Sequence, residues 1–178
     1  MKLTIFAITH KMAEMVLINP SILEYLDYIM YSDTKDVEYE KRINLEAPGL
    51  IAIKENYLDL ENEWHGVAYI LTEQAWDSKS LLGMTIFGEA AAGSEDDYGS
   101  PRILFPDTAK KCWELLSQFN DEEFEKRYND DRMNELEIYN GEWEEEWQKE
   151  ETFQAYKNFI AFFKKAVLEE KCLLYIMT

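Results

Sequence analysis

The chain has 178 residues, of which 47% are hydrophobic and 14% aromatic, and its formal net charge at pH 7 is −18. This length favours one domain, and this hydrophobic content is typical of a globular protein rather than a disordered acidic tail. A surface this acidic repels nucleic-acid phosphates and anionic membranes, so direct binding to either is not expected. The charge suits solubility, a cation or a basic protein partner.

The cysteines and the N-terminal segment bear on the cellular compartment. Cys112 and Cys172 are far apart in sequence and lie in apolar surroundings, which predicts buried thiols rather than a disulfide and fits a reducing compartment. Residues 1–15 lack the long apolar region and the small-residue cleavage site of a signal peptide. No apolar stretch reaches the roughly 18 residues that a membrane span needs. We therefore expect a cytoplasmic protein.

The first part of the chain predicts one strand and two helices. Residues 3–9 are rich in β-branched and aromatic side chains, which indicates a strand or a lead into the following helix. Thr9 is placed to cap a short helix over residues 11–18, and the pair Asn19 and Pro20 is a typical helix start. The apolar face of that second helix consists of Ile22, Leu23, Leu26, Ile29 and Met30. Residues 32–47 are polar, charged and aperiodic and predict a loop or an insertion.

The middle of the chain predicts a helix and two strands. Residues 50–53 indicate a short extended piece. Residues 58–72 predict one helix, with Asp59 as a possible cap. Its apolar positions are Leu60, Trp64, Val67, Ala68 and Leu71. Residues 78–92 hold a short apolar run punctuated by glycines, which indicates a strand, and a second strand is expected over residues 102–105 after a turn-rich loop.

The last part of the chain predicts three helices and a final strand. Pro106 opens one helix, and Asn120 caps the next, with Glu123 completing a capping-box pattern. The clearest amphipathic helix covers residues 152–170, with its apolar face at Phe153, Tyr156, Ile160, Phe163 and Val167. Residues 173–177 predict a buried terminal strand. Together these elements predict a single α+β domain over residues 1–178, with a small mixed or antiparallel sheet packed against several helices.

Most signatures of catalysis are absent from the sequence. It has no phosphate-binding or dinucleotide-binding glycine loop, no His-Glu-x-x-His, no Cys-x-x-Cys and no Gly-x-Ser-x-Gly elbow. The histidines are His10 and His65, so a catalytic triad or a zinc site would have to use one of them. A second metal ligand is not near either one. We therefore predict no metal, no cofactor and no catalytic residue.

His65 is the residue that most deserves a test, because it lies between Trp64 and Gly66. A histidine in a pocket can act as a general acid or base near neutral pH. The alternative is a half-buried histidine that bonds to the backbone. The glycine-flanked loop over residues 93–100 holds a second candidate group, Asp96, Asp97 and Tyr98, which fits either a functional loop or an ordinary solvated turn.

The densest acidic cluster consists of Glu142, Glu144, Glu145 and Glu146. Carboxylates in the first turn of a helix that begins near Gly141 would interact favourably with its exposed amides, by about 0.3–1 kcal/mol each. The functional alternative is an acidic patch that docks a basic partner or mimics a nucleic-acid backbone. Trp143 and Trp147 are one helical turn apart and are expected to pack against the core rather than to stack on a ligand.

Three segments match a known family in order and spacing. They are residues 58–72 with their Leu-Asp-Leu-x-x-x-Trp-His-Gly run, residues 88–106, and residues 132–143 with Ile138, Tyr139, Gly141 and Trp143. In these segments the chain resembles the YfbM-like family, small and mostly bacterial proteins of unknown function. The resemblance implies an α+β fold and a cytoplasmic protein, and it implies no established activity. Departures at Ala68, Glu73 and Asn140 include the loss of a second histidine, which speaks against an obligatory two-histidine metal site.

Two functions follow as hypotheses. The first is a non-enzymatic acidic interaction protein, for example an immunity-type or inhibitor-type binder of a basic toxin or nuclease. The second is a small-molecule-binding protein or enzyme with a pocket around Trp64, His65, Tyr98 and Tyr139, to which Trp143 is a possible addition. We favour the first because of the charge and the missing catalytic signatures. Whether the pocket residues meet in space discriminates between the two.

Overall fold

The computed structural model describes residues 1–33, 35–93, 99–139 and 141–178. Its strands are β1 (Leu3–Ile8), β2 (Tyr57–Asp59), β3 (Ala90–Ala91), β4 (Arg102–Leu104) and β5 (Cys172–Met177). In this part of the chain they form one sheet of order β2-β1-β5-β4-β3, and every neighbouring pair is antiparallel. The predicted α+β fold is therefore confirmed, and so are the strands at both ends of the chain.

Helices cover both faces of the sheet. They are α1 (His10–Ile18), α2 (Leu26–Tyr31), α3 (Val37–Glu46), α4 (Trp64–Thr72), α5 (Leu81–Phe87), α6 (Pro106–Leu116), α7 (Asp121–Arg127), α8 (Asp130–Glu135) and α9 (Glu146–Leu168), with 3-10 segments at Pro20–Tyr25 and Leu50–Glu55. The first three helices and both 3-10 segments pack on one face, and helices α4 to α9 pack on the other. Among the described residues, no helix is both long and apolar enough to cross a membrane.

The sheet is buried on both faces because helices cover each of them. Successive side chains of a strand point to opposite faces, so each strand contributes to both cores. In β5, Leu173 and Tyr175 join the core under α4 to α9, whereas Leu174 joins the core under α1 to α3. Strand β1 pairs with β5 along its whole length, from Leu3 opposite Met177 onward. A strand with two buried faces is apolar throughout, which is why the terminal segments are recognisable in the sequence.

Several helix boundaries follow local signals as predicted. The Thr9 hydroxyl accepts from the Met12 N–H at 3.2 Å and caps α1. The Asn120 side chain accepts from the Glu123 N–H at 3.0 Å and caps α7. These side chains replace hydrogen bonds that the first turn of a helix lacks, so their effect is independent of the rest of the fold. The helix expected after Asn19 begins as a 3-10 segment and becomes α-helical only at Leu26.

Four predicted elements are wrong. Residues 32–47 are not a loop throughout, because α3 forms with Asp36 as its cap. Residues 50–53 belong to a 3-10 helix and not to an extended piece. Residues 58–72 divide into β2 and α4, because the Asp59 carboxylate accepts from the Glu61 N–H at 2.8 Å and closes a turn instead of capping a helix. Residues 78–92 form α5 and the short β3 rather than one strand.

The long helix α9 confirms the predicted amphipathic helix but uses a slightly different face. It begins at Glu146, earlier than residue 152, and ends at Leu168. Its buried positions are Gln148, Thr152, Tyr156, Phe159, Phe163 and Ala166. The predicted face shares Tyr156 and Phe163 with this set, and its other members, Phe153, Ile160 and Val167, are partly buried against the same core. The polar Gln148 and Thr152 could not be recognised as core residues from hydrophobicity.

Candidate functional site

His65 is buried in α4, with only 2% of its surface exposed. Its Nδ1 atom accepts a hydrogen bond from the backbone N–H of Tyr139 at 2.9 Å. Because Nδ1 is the acceptor, the ring proton lies on Nε2, which donates to the carbonyl oxygen of Ala75 at 2.7 Å. Burial lowers the pKa of His65, although the bond to Ala75 opposes this effect, so the ring is neutral. Backbone groups therefore occupy both nitrogens and leave neither available for acid–base chemistry in this conformation.

An aromatic cluster surrounds His65. The Trp64 ring is completely buried and stacks on the imidazole, with the two centroids 4.6 Å apart and the planes 8° from parallel. On another side lies Trp76, whose ring centroid is 4.8 Å from that of His65. Trp76 is 62% exposed and closes the cluster toward solvent. Trp64 and His65 thus fill space in the core, and a cavity of about 180 Å³ lies beside the cluster, where Trp76 and Phe87 form part of its lining.

Trp143 anchors the segment that carries the family motif. Its indole is 2% exposed and donates from Nε1 to the carbonyl oxygen of Ile138 at 3.1 Å. A Cβ atom added to Gly141 would lie 1.7 Å from the Trp143 ring, and one added to Gly66 would lie 2.9 Å from it. The ring therefore fits between Gly66 of α4 and Gly141 of its own loop. This packing explains why both glycines and the tryptophan belong to one sequence pattern.

The acidic cluster lies at the start of α9, but not as predicted. The helix begins at Glu146 and not near Gly141, so Glu142 and Glu144 precede it and all four glutamates of the cluster are exposed. Glu145 occupies the cap position without a side-chain capping bond, and Glu146 is the acidic residue of the first turn. The helix dipole can therefore account for only part of the cluster, because its effect is confined to the first turn.

A surface groove of about 620 Å³ lies between the end of α8 and the start of α9. It is lined by Asn134, Glu137, Ile138, Tyr139, Gly141, Glu142 and Trp147. Tyr139 is 39% exposed and Trp147 is 47% exposed, so the inward packing expected for Trp147 is wrong, whereas that of Trp143 is correct. The groove thus combines two accessible aromatic rings with two carboxylates.

Buried side chains support the backbone that forms this groove. The bond from the Tyr139 N–H to His65 fixes one wall, and the Trp143 ring under Gly141 fixes the floor. Glu137 follows the end of α8 with a φ of 53°, a left-handed conformation that is uncommon outside glycine and asparagine. The adjacent Ile138 N–H donates to the Met133 carbonyl at 3.0 Å, which closes the helix end and explains the turn.

One predicted site residue cannot be placed. Tyr98, together with Asp96 and Asp97, lies outside the described residues, so the convergence of Trp64, His65, Tyr98 and Tyr139 is not established. Within the described ranges the structure brings Trp64, His65 and Trp143 together as core residues and leaves Tyr139 at the surface above them. Their assignment as binding residues stays a prediction.

Three groups near the site had no signal in the sequence that would have singled them out. Glu137 lines the groove only because α8 ends where it does, and Trp76 covers His65 only through the loop after α4. The third is Glu63, whose carboxylate accepts from Thr152 Oγ1 at 2.6 Å and from Gln148 Nε2 at 2.9 Å. Burial raises the pKa of Glu63, while the bonds from Thr152 and Gln148 oppose this effect. These contacts join α4 to α9 across 85 or more residues of sequence.

The comparisons with known proteins agree with this architecture. The family described as "Domain of unknown function (DUF1877)" matches residues 1–176. The chain belongs to this family. The match includes the first strand and the N-terminal helices, which lie outside the three segments that carry the sequence resemblance. It therefore covers the sheet and helices on both of its faces.

A solved structure shares this fold. The crystal structure of YfbM from Escherichia coli, a protein of unknown function, is similar over 100% of both chains with a TM-score of 0.66 and 17% sequence identity. At this identity the likeness concerns the fold alone. A search of the curated proteins found no significant match. Any function of this DUF1877 protein must therefore be argued from its own surface.

Proposed function

We propose that the chain is a non-enzymatic binding protein that docks a basic segment of a protein partner in the groove between Tyr139 and Trp147. The observation that carries this proposal is that two accessible aromatic rings and the carboxylates of Glu137 and Glu142 line one groove. A lysine ammonium or arginine guanidinium is attracted both by the face of an aromatic ring and by nearby carboxylates. The groove therefore suits a cationic side chain better than a neutral or anionic one.

One positive charge of the protein reaches the groove, because the Met1 ammonium donates to the Tyr139 hydroxyl at 2.7 Å, but the groove carboxylates have no such partner within the described ranges. Among the described residues, no lysine or arginine forms an ion pair with Glu137, Glu142, Glu145 or Glu146. The nearest polar contact in the cluster is the Asn134 side chain, which donates to Glu144 at 3.3 Å. An incoming cation would meet carboxylates that still need a counter-charge. The net charge of −18 would also attract a basic partner over a longer range and speed its association.

The groove is also preorganised. Tyr139 is held through His65, and Gly141 is held over the Trp143 ring. Rigid binding surfaces lose less conformational entropy when a partner is bound, which improves affinity without additional contacts. Under this proposal the buried histidine and tryptophan act by positioning the groove. A toxin or nuclease with a basic surface is one kind of partner that would present such a segment.

The alternative of a small-molecule pocket around Trp64, His65, Tyr98 and Tyr139 has less support. Trp64 and His65 are buried and pack against each other, and both His65 nitrogens are bonded to backbone groups. A ligand at that position would have to displace core side chains, which is costly in a closely packed interior. We therefore place the binding function at the surface above these residues.

A blocked lysine-glycine peptide, (Lys-Gly)4, tests the proposal. We expect saturable binding, measured by fluorescence anisotropy of a labelled peptide, that weakens strongly when the ionic strength rises from about 0.05 M to about 0.5 M. Trp147→Ala is expected to weaken binding about fivefold through loss of the ring–cation contact. Glu137→Gln combined with Glu142→Gln is expected to weaken it further, because the carboxylates act on the same cation.

The matched control is Glu150→Gln combined with Glu169→Gln, which removes the same formal charge from an exposed position in α9 and from the exposed residue that follows its end, both outside the groove. If this control weakens peptide binding as much as the groove variant does, the peptide responds to the overall charge and the proposal is wrong. Equal binding of a (Glu-Gly)4 peptide would also contradict it.

A further inference from the structure

A second cavity lies at the opposite end of α9 and has a different chemical character. Its volume is about 460 Å³, and it is bounded by the end of β1, the 3-10 segment Leu50–Glu55 and the turn between α9 and β5. Lys165 and Lys171 both line it, together with Asn56 and Glu55. Two lysines against one glutamate give a local formal charge of +1 in a chain whose net charge is −18.

The fold positions the Lys165 side chain and the backbone of Lys171. The Lys165 ammonium donates to the Asn56 side-chain oxygen at 3.3 Å, and the Asn56 carbonyl in turn accepts from the Ala7 N–H at 2.9 Å. The Lys171 N–H donates to the Ala166 carbonyl at 2.9 Å, which closes the end of α9 after the left-handed Glu170. In the described part of the chain neither ammonium forms an ion pair with a carboxylate. Their charges are therefore available to a ligand.

The floor of the same cavity is apolar. Met12 and Ile53 line it, and they are 6% and 5% exposed. Gly49 forms another part of the wall, and because it is a glycine only its backbone lines the cavity there. Its φ is 89°, and a Cβ atom added to it would lie 3.8 Å from Met12. A cavity with an apolar floor and a few convergent polar groups has the composition of a small-molecule site.

We propose that this cavity binds a small organic carboxylate, with the carboxylate at Lys165 and Lys171 and an apolar chain or ring against Met12 and Ile53. The lysines supply charge-assisted hydrogen bonds, and the apolar floor supplies surface that leaves water on binding. Glu55 opposes a second negative charge, so a monocarboxylate is favoured over a dicarboxylate. This site is independent of the Tyr139–Trp147 groove and would bind whether or not a protein partner does.

Octanoate is the probe, with octylamine as its charge-reversed counterpart and inorganic phosphate as an anion without an apolar body. Backbone amide shifts of the full chain, followed by NMR during titration, report both affinity and location. We expect octanoate to give saturable shifts at Gly49, Ala52 and Lys171. Octylamine and phosphate are each expected to bind at least about tenfold more weakly, which is roughly the contribution of one charged hydrogen bond or of the buried chain.

The decisive variant is Lys165→Gln combined with Lys171→Gln. We expect it to weaken octanoate binding more than about tenfold. The matched control is Lys157→Gln combined with Lys164→Gln, which removes the same charge from α9 at positions that do not line the cavity. We expect it to change the affinity less than about twofold, because exposed charges outside contact range are screened. The melting temperature of each variant, measured without octanoate, verifies that it is folded.

Three results would overturn the proposal. The first is no saturable octanoate binding by the wild-type chain. The second is an equal loss of affinity in both double variants, which would show a response to net charge. The third is an octylamine affinity equal to that of octanoate, which would show that the lysines do not select the carboxylate.

Discussion

Helix α9 borders the acidic aromatic groove at its first turn and the lysine-lined cavity at its end. Trp147 and Lys165 are separated by about 27 Å along the helix axis, at 1.5 Å per residue. Negative charge at a helix start and positive charge at a helix end both match the helix dipole. The dipole favours Glu146 and Lys165, but Glu142 precedes the helix and Lys171 follows it, so the dipole explains only part of the charge pattern. It does not explain why each end faces a concave surface. Tertiary packing creates those surfaces, and it does so differently at the two ends.

The groove is supported by an aromatic ring packed between two glycines, whereas the cavity combines backbone turns with an aliphatic floor. Trp143 lies between two glycines and supports the groove, and His65 holds Tyr139. At the other end, Gly49 and the left-handed Glu170 shape the chain above a floor of buried Met12 and Ile53. Perturbing the core under the groove should therefore cost much more stability than changing residues of the cavity. The motif residues Gly66, Gly141 and Trp143 thus lie at the anchored end of α9.

Trp143→Ala gives the largest expected effect. It deletes an indole that is 2% exposed and leaves the Ile138 carbonyl without its donor, so the free energy of unfolding should fall by about 3–5 kcal/mol. Urea unfolding followed by circular dichroism measures the change. Trp147→Ala, at a ring that is 47% exposed, is the control and should cost less than about 1 kcal/mol. Equal costs would mean that Trp143 does not anchor the segment.

Gly141→Ala and Gly49→Ala compare the two ends directly. A methyl group at Gly141 would overlap the Trp143 ring, so we expect a loss of about 1–3 kcal/mol from displaced packing. At Gly49 the methyl group meets only ordinary contact with Met12, and the expected loss of about 1–2 kcal/mol comes from the left-handed backbone alone. The combination Gly141→Ala with Trp143→Ala separates the causes, because the alanine at 141 should add little once the ring is gone. An additive loss would exclude steric overlap as the cause.

Acid should lower the free energy of unfolding through protonation of His65. Its folded-state pKa is lowered, so the unfolded chain binds more protons, and stability is lost as the pH falls below the unfolded pKa of about 6.5. One proton limits the slope to about 1.4 kcal/mol per pH unit. Above that range this contribution should be constant.

The pH prediction is measured as a difference between the wild type and His65→Gln in urea unfolding across pH 5 to 8, in steps of about half a unit. Glu63 has a raised pKa in the folded state, so its contribution to stability increases as the pH falls. Both proteins share this contribution, and subtracting one unfolding free energy from the other removes it. A difference that does not change between these limits would show that His65 is not held neutral by the fold. The Tyr139 amide is the local reporter, because protonation of Nδ1 would remove its acceptor.

Lys165→Gln and Lys171→Gln give the smallest expected effect on stability. Neither lysine forms an ion pair among the described residues, so each change should alter the free energy of unfolding by less than about 0.5 kcal/mol. Differential scanning calorimetry of the single variants measures this. A loss above about 1 kcal/mol would mean that the lysines stabilise the fold. The difference in stability cost between the groove and cavity variants would then be small.

Helix starts could be predicted wherever a single side chain forms the cap. Thr9 and Asn120 were recognised because a short polar side chain before an apolar-periodic segment satisfies free backbone amides without any help from distant residues. Asp36 does the same for α3, but its helix buries only Ile43, so no hydrophobic periodicity marked it.

The sequence predicts a strand where α5 forms, because burial on several sides of the helix removes the alternation of apolar and polar residues that marks a helix. Gly83, which suggested a break in the sequence, lies inside the helix, where an added Cβ would be 1.7 Å from the Asp77 carbonyl oxygen. Its small size allows a close approach and does not indicate a turn. The Ser80 cap, which accepts from the Gly83 N–H at 3.0 Å, was the local signal that could have corrected the interpretation.

The candidate site shows the same limit. The sequence identified the stretch over residues 132–147 as one that carries a family motif and the densest acidic charge, but it assigned Trp147 to the core. It also kept His65 as a possible catalytic base. Whether a histidine is solvated or bonded at both nitrogens depends on Ala75 and on Tyr139, which is 74 residues away in sequence. No local pattern contains that information.

The sequence by itself therefore determined the family, the α+β class, the terminal strands and the capped helices, because each depends on local hydrogen bonding or on two-sided burial that leaves an unbroken apolar run. Only the tertiary structure decided which tryptophan is buried, that His65 is neutral and bonded at both nitrogens, and that an aromatic groove and a lysine-lined cavity lie at opposite ends of one helix. These features arise from contacts between distant segments, and their geometry is set by packing rather than by any single stretch of residues.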